Sequence, residues 1–482
     1  MGGNVEEITF SPTGTLPVLY ILTDDIIIDK DLDNKNYYDG QYWLTFPEGS
    51  EFNSIGSEEE PLSLQIKARG NWTRIMYAKK PFKIKLGKKQ ELLGLSKSKH
   101  FALLPHADDW FGFLRNFTGF NFAKTIGMPW TPSMQAIELV INGDYRGIYF
   151  VTESIRVESD RINIQELADL ETDPALCSGG YVVEIDNSLS DNQLHIKNPQ
   201  QTDYVNLTFE APEELSEIQR SFLELQLNTI NDLIVAHNPE VWKYLDLDMA
   251  VRFYIVQELM DNVESYIGST FLYRDRGEGH KWIFSPVWDF GNSLGKDNKE
   301  CYLYEQTKFR NRWIEDLKQI PGFQDKLEDT WNWYIGTTIC DYSKNATDFH
   351  NEIKEAAVID GLRWKDAPRP NIEGSTTAND NSDLDMKREY FLSHLGRKLN
   401  WLKTQWGEGD PDAVEPERDQ TPAAPLPVFV TTGVEMLPSD NSVELGADSE
   451  YYTSSGHRIS NPNLPGIYIV KTGGRYIKIA IP

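Results

Sequence analysis

The chain is poor in cysteine and histidine, and this argues against several classes of metal and disulfide proteins. Its 482 residues include 3 cysteines (Cys177, Cys301 and Cys340), none of them in a Cys-x-x-Cys pair. Neither a zinc ribbon nor a disulfide framework is therefore indicated, and we expect these cysteines to be reduced or buried. The 8 histidines form no His-Glu-x-x-His motif. This absence argues against a zinc hydrolase.

Positive charge and long apolar segments are also scarce. The chain has 47 Lys and Arg residues against 74 Asp and Glu residues, which gives a net charge of −27. A protein that binds nucleic acid or anionic membranes without specificity needs a basic face, so this balance argues against both classes. No run approaches the roughly 18 apolar residues needed to span a bilayer, and we expect no transmembrane segment. The hydrophobic content of 40% is ample for a large packed core.

The spacing of apolar residues predicts strands first and helices afterwards. Residues 62–69 and 81–86 alternate between apolar and polar side chains, which is typical of half-buried strands. The Asn142-Gly143 pair between two apolar runs predicts a tight hairpin. Residues 213–262 and 310–404 carry apolar side chains mainly at helical spacing. A strand-rich half followed by a helix-rich half predicts an α+β fold.

A Pro-rich acidic stretch near the C-terminus divides the chain unequally. Residues 406–427 contain five prolines among acidic residues, a composition typical of a linker. Short apolar runs and Gly-rich turns follow it and predict a small all-β module. The predicted organisation is an N-terminal extension (1–16), a main domain (17–405), a linker (406–427) and a β module (428–482).

The most suggestive motif is Asp289-Phe290-Gly291, which follows an apolar strand. Protein kinases present a magnesium-binding aspartate in this context, beneath the phosphates of the nucleotide. Asp261 and Glu264 lie about one hairpin upstream, at the end of a predicted buried helix. Two acidic positions joined by a hairpin match a catalytic loop followed by a metal aspartate. The alternatives are an aspartate that caps a turn and a solvated helix end.

Two lysines on one predicted strand form the second element. Lys83 and Lys85 share one face of this strand, because side chains alternate between the two faces. Lysines that project from a sheet can pair with nucleotide phosphates, although solvated strand lysines are also common. Arg69 begins a Gly-containing turn nearby, but the Gly-x-Gly-x-x-Gly motif is absent. Any phosphate-binding loop is therefore built differently from that of a protein kinase.

An ordered set of short motifs extends over most of the chain. The segments, in chain order, are 69–71, 79–86, 92–95, 114–116, 142–149, 179–186 and 286–290. This set resembles the spore coat protein H (CotH) kinase family over roughly residues 17–405. The resemblance implies an atypical protein-kinase-like fold, with ATP and Mg²⁺ (or Mn²⁺) as cofactors. It also implies phosphorylation of protein Ser/Thr or of another hydroxyl substrate.

The resemblance further implies roles for individual residues. Asp289 would bind the metal, and either Glu264 or Asp261 would orient the acceptor hydroxyl as the catalytic carboxylate. Lys85 or Lys83 would hold the phosphates, and Arg69 would also bind the cofactor. Glu153 and Glu184 would line the nucleotide side or the sheet edge.

Three positions depart from the family pattern. Glu264 stands where the family usually has the aspartate of Asn-x-Asp, and Gly291 removes the second carboxylate of Trp-Asp-Phe-Asp. Asn121 occupies a position that often carries glutamate in the family. A misplacement near 1 Å can cost on the order of 100-fold in rate. A catalytically impaired pseudokinase that acts as a cell-surface binding protein is therefore the alternative to an active kinase.

The remaining expectations concern calcium and location. Residues 29–40 begin like a calcium loop, but Asn34 and Gly40 replace the turn glycine and the bidentate glutamate, so a solvated acidic turn is preferred. The polar start at Met1 is no signal peptide. The C-terminal tail resembles the tails of secreted Bacteroidetes proteins. We expect an exported bacterial protein of the cell surface or periplasm whose signal segment has been removed, with a lipid anchor as an option.

Overall fold

The structure is a computed structural model, and its described residues are 9–23, 33–186, 192–194, 196, 207–294, 300–306, 312–339, 341–367, 383–424, 450–453, 458–459, 466–472 and 475–481. The strands are β1 (Val18–Thr23), β2 (Tyr38–Thr45), β3 (Leu62–Ala68), β4 (Phe82–Gln90), β5 (Ser98–Leu104), β6 (Met134–Ile141), β7 (Asp144–Glu153), β8 (Tyr181–Ile185), β9 (Gln193–Leu194), β10 (Leu207–Ala211), β11 (Thr270–Arg274), β12 (Ile283–Phe284), β13 (Glu450–Thr453), β14 (Arg458–Ile459), β15 (Gly466–Thr472) and β16 (Arg475–Ile481). The α-helices are α1 (Trp72–Met76), α2 (Leu114–Thr125), α3 (Glu217–Val235), α4 (Leu247–Leu259), α5 (Leu303–Gln306), α6 (Arg312–Leu317), α7 (Phe323–Trp333), α8 (Tyr342–Trp364) and α9 (Leu384–Trp406). A 3₁₀ turn spans Pro239–Lys243, and a π-helical turn spans Tyr334–Thr338.

The first seven strands form a closed barrel in the order β1-β2-β3-β4-β5-β7-β6. Most neighbours are antiparallel, and the predicted Asn142-Gly143 hairpin is confirmed between β6 and β7. The barrel closes where β1 runs parallel to β6, with Val18 opposite Glu138 and Ile21 opposite Ile141. The inward-pointing side chains of alternating residues fill the interior as a separate apolar core.

The closed barrel corrects the predicted fold. The α+β class and the order of strands before helices hold, but the protein-kinase-like arrangement is wrong, because the N-terminal strands close on themselves. Alternation of apolar and polar residues identifies a strand without identifying its partners. The pairing of β1 with β6 brings together segments that lie far apart in the chain, and no local pattern encodes it.

A second sheet and the helices form the larger core. The sheet has the order β12-β11-β8-β10-β9. Nearly all of α4 is buried, including its polar residues, and it packs against α7, α9 and α2. The barrel joins this part through α8, where Asp360 Oδ1 accepts hydrogen bonds from Lys79 Nζ at 2.6 Å and from the Ile148 amide at 3.0 Å. Because α4 is buried along nearly its whole length, its packing fixes where the loop after Met260 begins.

The chain after α9 runs along the helical part. Within residues 407–424, Glu415 accepts a hydrogen bond from Arg252 at 2.8 Å and Asp419 accepts one from Lys281 at 2.8 Å. A four-stranded sheet in the order β14-β13-β15-β16 lies further along the chain. Residues 29–32 of the candidate calcium loop, Cys340, and residues 425–449 lie outside the described residues. Among the helices that are described, none is long and apolar enough to cross a membrane.

Candidate functional site

The loop after β12 carries the Asp289-Phe290-Gly291 motif and is held by the start of α2. The Phe290 amide donates to Asn116 Oδ1 at 3.0 Å, and Arg115 Nη1 donates to the Gly291 carbonyl. Arg115 is 1% exposed, so this guanidinium is buried against the loop. The two consecutive residues at the start of α2 therefore fix the backbone on the C-terminal side of Asp289.

Asp289 itself has a left-handed backbone conformation, with φ of 57°. Its carbonyl accepts a hydrogen bond from Asn262 Nδ2 at 3.2 Å, and its Oδ1 accepts one from the Gly291 amide at 3.2 Å. Burial raises the pKa of Asp289, while the Gly291 amide and the guanidinium of Arg69 oppose the rise. A non-glycine residue rarely adopts this conformation, so the contacts to its neighbours must hold it in place.

Glu264 lies close to Asp289, in the loop that follows α4. Asn292 Nδ2 donates to Glu264 Oε1 at 2.7 Å, and the Glu264 amide donates to Asn262 Oδ1 at 3.3 Å. Burial, and then the charge of Asp289, raise the pKa of Glu264 to about 7. The structure therefore brings Glu264 and Asp289 together, and Asn262 contacts both residues.

Asp261 has different surroundings, although it is only three residues from Glu264. Its side chain is 1% exposed, and its Oδ1 accepts hydrogen bonds from Lys398 Nζ at 3.0 Å and Gln306 Nε2 at 2.5 Å. Lys398 also pairs with Glu258 at 3.2 Å and is itself fully buried. The Asp261 carboxylate therefore belongs to a buried ion network between the end of α4 and α9.

A third carboxylate, from Asp108, lies beside Asp289. A Cβ atom on Gly291 would be 2.3 Å from Asp108 Oδ2 and 3.2 Å from Asp289 Oδ1. Burial, and then the charge of Asp289, raise the pKa of Asp108 to about 7. Asp108, Glu264 and Asp289 are called the acidic cluster below. Sequence reasoning missed Asp108, because its loop between β5 and α2 carries no recognisable motif.

The outer surface of the barrel next to this cluster is basic. Lys67 of β3 lies directly opposite Lys83 of β4. Burial, and then the charges of Arg69 and Lys67, lower the pKa of Lys83 to about 8. The Arg69 guanidinium stacks over Trp288 at 5.3 Å from the ring centre. Lys67, Arg69 and Lys83 are called the basic face below. Like charges directly opposite on a sheet destabilise it, so an anion would stabilise this face.

The other three predicted cofactor-side residues, Glu184, Lys85 and Glu153, have different surroundings. Glu184 on β8 lies within electrostatic range of Arg69 and Asp289, and burial raises its pKa well above the ordinary value. Lys85 shares the outer face of β4 with Lys83 but is exposed. Glu153 is 2% exposed, and its two oxygens accept hydrogen bonds from the amides of Ser96 at 2.9 Å and Ser133 at 2.8 Å. The carboxylate of Glu153 therefore anchors two loops of the barrel.

No three side chains of His, Cys, Asp or Glu within the described part of the chain are grouped so that they could enclose a metal ion. The acidic cluster is an open arrangement instead. Mg²⁺ in phosphoryl-transfer sites commonly uses one or two carboxylates, with substrate phosphates and water as the remaining ligands. Asp289 and its neighbours fit this second mode, because oxygen ligands lie next to a basic face.

The fold and the site define an α+β protein in which the basic outer face of a closed barrel meets an acidic cluster carried by the helical part. The family described as CotH kinase protein matches residues 66–390, which is more than half of the chain. The chain therefore belongs to this family, and the predicted resemblance is confirmed. Among curated proteins, no match to the chain is found.

The residues that support the acidic carboxylates were mostly missed by sequence reasoning. Arg115 and Asn116 appeared in a family segment, but no role was assigned to them. Asn262 and Asn292 hydrogen-bond to the loops that carry Asp289 and Glu264. Short amide side chains between acidic residues were the only signal, and such residues are equally typical of turns.

Proposed function

We propose that this protein is an ATP-dependent phosphotransferase that acts on a hydroxyl group of a protein or another substrate. The observation that supports the proposal is the electrostatic contact of Asp289 with Arg69, which joins the acidic cluster to the basic face. Groups suited to a metal ion and groups suited to phosphates thus meet at one place. Phosphoryl transfer depends mainly on positioning and charge neutralisation, so few groups are needed.

Arg69 and Lys83 would bind the phosphates. The Arg69 guanidinium makes no hydrogen bond within the described residues, and it is oriented by stacking on Trp288. A planar guanidinium can donate two parallel hydrogen bonds to a phosphate. The charge of Lys83 is retained at neutral pH, since its pKa of about 8 lies above 7. An anion on the basic face would relieve the repulsion between Lys83 and Lys67.

Asp289 would bind a divalent cation, which when bound neutralises charge on the phosphates. Its loop is fixed by Asn116, Arg115 and Asn262, so its carboxylate is held in position before any ligand arrives. Burial raises the pKa of both Asp289 and Glu264, and the charge of Asp289 adds to the rise at Glu264. Binding of a cation would favour the charged forms of these carboxylates.

Glu264 would orient the acceptor hydroxyl and accept its proton. A general base works best when its pKa is near the working pH, and the pKa of Glu264 is about 7. Asn292 binds only Oε1, which leaves Oε2 for an acceptor group. The alternative carboxylate, Asp261, is engaged by Lys398 and Gln306. These contacts favour Glu264 over Asp261 for this role.

Thermal unfolding with nucleotide and metal tests the proposal. ATP with MgCl₂ or MnCl₂ should raise the melting temperature, because a ligand at 100 times its Kd stabilises the folded state by about 2.7 kcal/mol. Asp289→Ala should abolish this shift and leave the melting temperature of the ligand-free protein unchanged or higher, since a buried negative charge is removed. Transfer of labelled phosphate from ATP to a generic protein substrate provides the direct measurement.

The matched control is Asp160→Ala, at an exposed aspartate in a turn outside the acidic cluster. It should retain the full nucleotide shift. If millimolar nucleotide with metal leaves the wild-type melting temperature unchanged, the proposal is contradicted. The family scaffold would then act as a non-catalytic surface binding protein.

A further inference from the structure

Asp108 approaches the acidic cluster from a separate part of the chain. It lies in the loop between β5 and α2, within a turn in which the Asp109 amide donates to the His106 carbonyl at 3.0 Å. The two oxygens Asp108 Oδ2 and Asp289 Oδ1 flank one point, the place where a Cβ on Gly291 would be, at 2.3 Å and 3.2 Å. The Asp108 carboxylate thus occupies the space that any side chain at position 291 would need.

The neighbouring residue, Asp109, accepts hydrogen bonds from backbone amides at the start of α2 and just before it. Asp109 accepts hydrogen bonds from the amides of Phe111 at 2.9 Å and Arg115 at 3.0 Å. Arg115 in turn donates to the carbonyls of Gly291 and of Asp108, the latter at 3.4 Å. One buried guanidinium therefore joins the loop of Asp108 to the loop of Asp289. This leaves the Asp108 carboxylate pointing at Gly291, while Asp109 stabilises the start of α2.

Two buried carboxylates side by side are unfavourable unless a cation lies between or next to them. The charge of Arg115 lowers the pKa of Asp108, but its hydrogen bonds go to backbone carbonyls and burial still holds that pKa at about 7; Arg69 interacts electrostatically with Asp289 and Glu184. The Arg69 guanidinium is a second and independent sign of a ligand, because none of its hydrogen-bond donors is used within the described chain. In a metal–phosphate complex, the carboxylate pair could bind the metal ion and the neighbouring guanidinium could bind the phosphate.

We propose that Asp108 is the second carboxylate that binds the divalent cation, and that it acts from the space left open by glycine at position 291. This inference rests on the proposed function, since it concerns the same metal and nucleotide. It assigns the residue that compensates for the missing carboxylate at position 291 in this chain. It also explains why position 291 must be glycine here.

Manganese binding tests this assignment without any measurement of catalysis. Free Mn²⁺ is measured by electron paramagnetic resonance while the full-length protein is titrated with MnCl₂, in the presence of a non-hydrolysable ATP analogue. Loss of a residue that only supports a ligand typically costs 10–100-fold in metal affinity, so Asp108→Asn should cost about 100-fold or more. Its ligand-free melting temperature should stay equal or rise, because one of two repelling charges is removed.

A carboxylate exchange provides the stricter test. Gly291→Asp alone should bind Mn²⁺ poorly, since its Cβ would overlap Asp108 Oδ2 at 2.3 Å. The double variant Asp108→Gly with Gly291→Asp moves the carboxylate to the other loop, and it should recover Mn²⁺ affinity to within about tenfold of the wild type. If Asp108→Asn does not fold, this exchanged pair decides the question. Asp160→Asn, at an exposed position, is the control.

The outcomes separate this inference from the proposed function. If the wild type binds Mn²⁺ with the analogue and Asp108→Asn binds equally well, the assignment of Asp108 is wrong while the proposed function stands. A lower melting temperature with unchanged Mn²⁺ affinity would make Asp108 a structural residue and would also overturn the assignment. If the wild type binds neither Mn²⁺ nor the analogue, the proposed function fails and the inference fails with it.

Discussion

The replacement Lys83→Met should stabilise the ligand-free protein while weakening nucleotide binding. Lys83 lies opposite Lys67, and burial together with Arg69 and Lys67 lowers its pKa from 10.5 to about 8. Each pKa unit corresponds to about 1.4 kcal/mol, so the charged form of Lys83 destabilises the fold by at most about 3 kcal/mol. Methionine keeps the length of the aliphatic chain and removes the charge. We expect an increase of about 1–3 kcal/mol in the free energy of unfolding at pH 7.

The pH dependence of this gain follows from linkage. Below pH 8, Lys83 is protonated in both the folded and the unfolded state, and its full destabilising effect is present. Between pH 8 and 10.5, the unfolded state binds more protons, so the stability of the wild type rises with pH. The advantage of Lys83→Met should therefore be largest at pH 7 and should shrink towards pH 10. Urea unfolding at pH 7 and 9.5 measures it.

Lys85→Met is the matched control for this experiment. Lys85 lies two residues further along β4 on the same face but is exposed, so its replacement should change stability by less than about 0.5 kcal/mol. The reasoning would be refuted if Lys83→Met lowered stability at pH 7, or if Lys85→Met stabilised the protein equally. The thermal shift with ATP and Mg²⁺ should decrease in Lys83→Met, because a phosphate-binding charge is lost.

Two further predictions concern the carboxylates after α4. Glu264→Gln should reduce phosphoryl transfer strongly with little loss of stability. Asp261→Asn should destabilise the fold by about 3 kcal/mol or more, because Lys398 loses a buried partner. Equal stability of the two variants in urea unfolding would contradict this contrast. Without metal, wild-type stability should fall as the pH rises from 4.5 through about 7, because the folded state binds the Glu264 proton more tightly than the unfolded state does. Glu264→Gln should flatten that decline between pH 5 and 8, and an unchanged slope would show that other groups cause it.

Some features of this protein follow from local sequence alone. The alternation in Phe82 to Leu86 correctly places Lys83 and Lys85 on the outer face of a strand. The Asn142-Gly143 turn matches the prediction, and so does the hairpin predicted between Glu264 and Asp289, which β11 and β12 form. These features depend on residues within a few positions of one another, so a short sequence window contains their physical cause. The resemblance to the family was likewise found from the order of several short segments along the chain.

The closure of the barrel and the composition of the site were decided by tertiary structure. Pairing of β1 with β6, and the contact of Asp108 with Gly291, join residues that are distant in the chain, and no periodicity or spacing encodes such contacts. The same holds for the contrast between Glu264 and Asp261. Both are acidic residues at the end of one helix, but Asp261 pairs with Lys398 on α9, whereas Glu264 accepts a hydrogen bond from Asn292. Sequence determines which carboxylates are available, while packing of distant elements decides which of them has a cation as its partner and which remains open for a ligand.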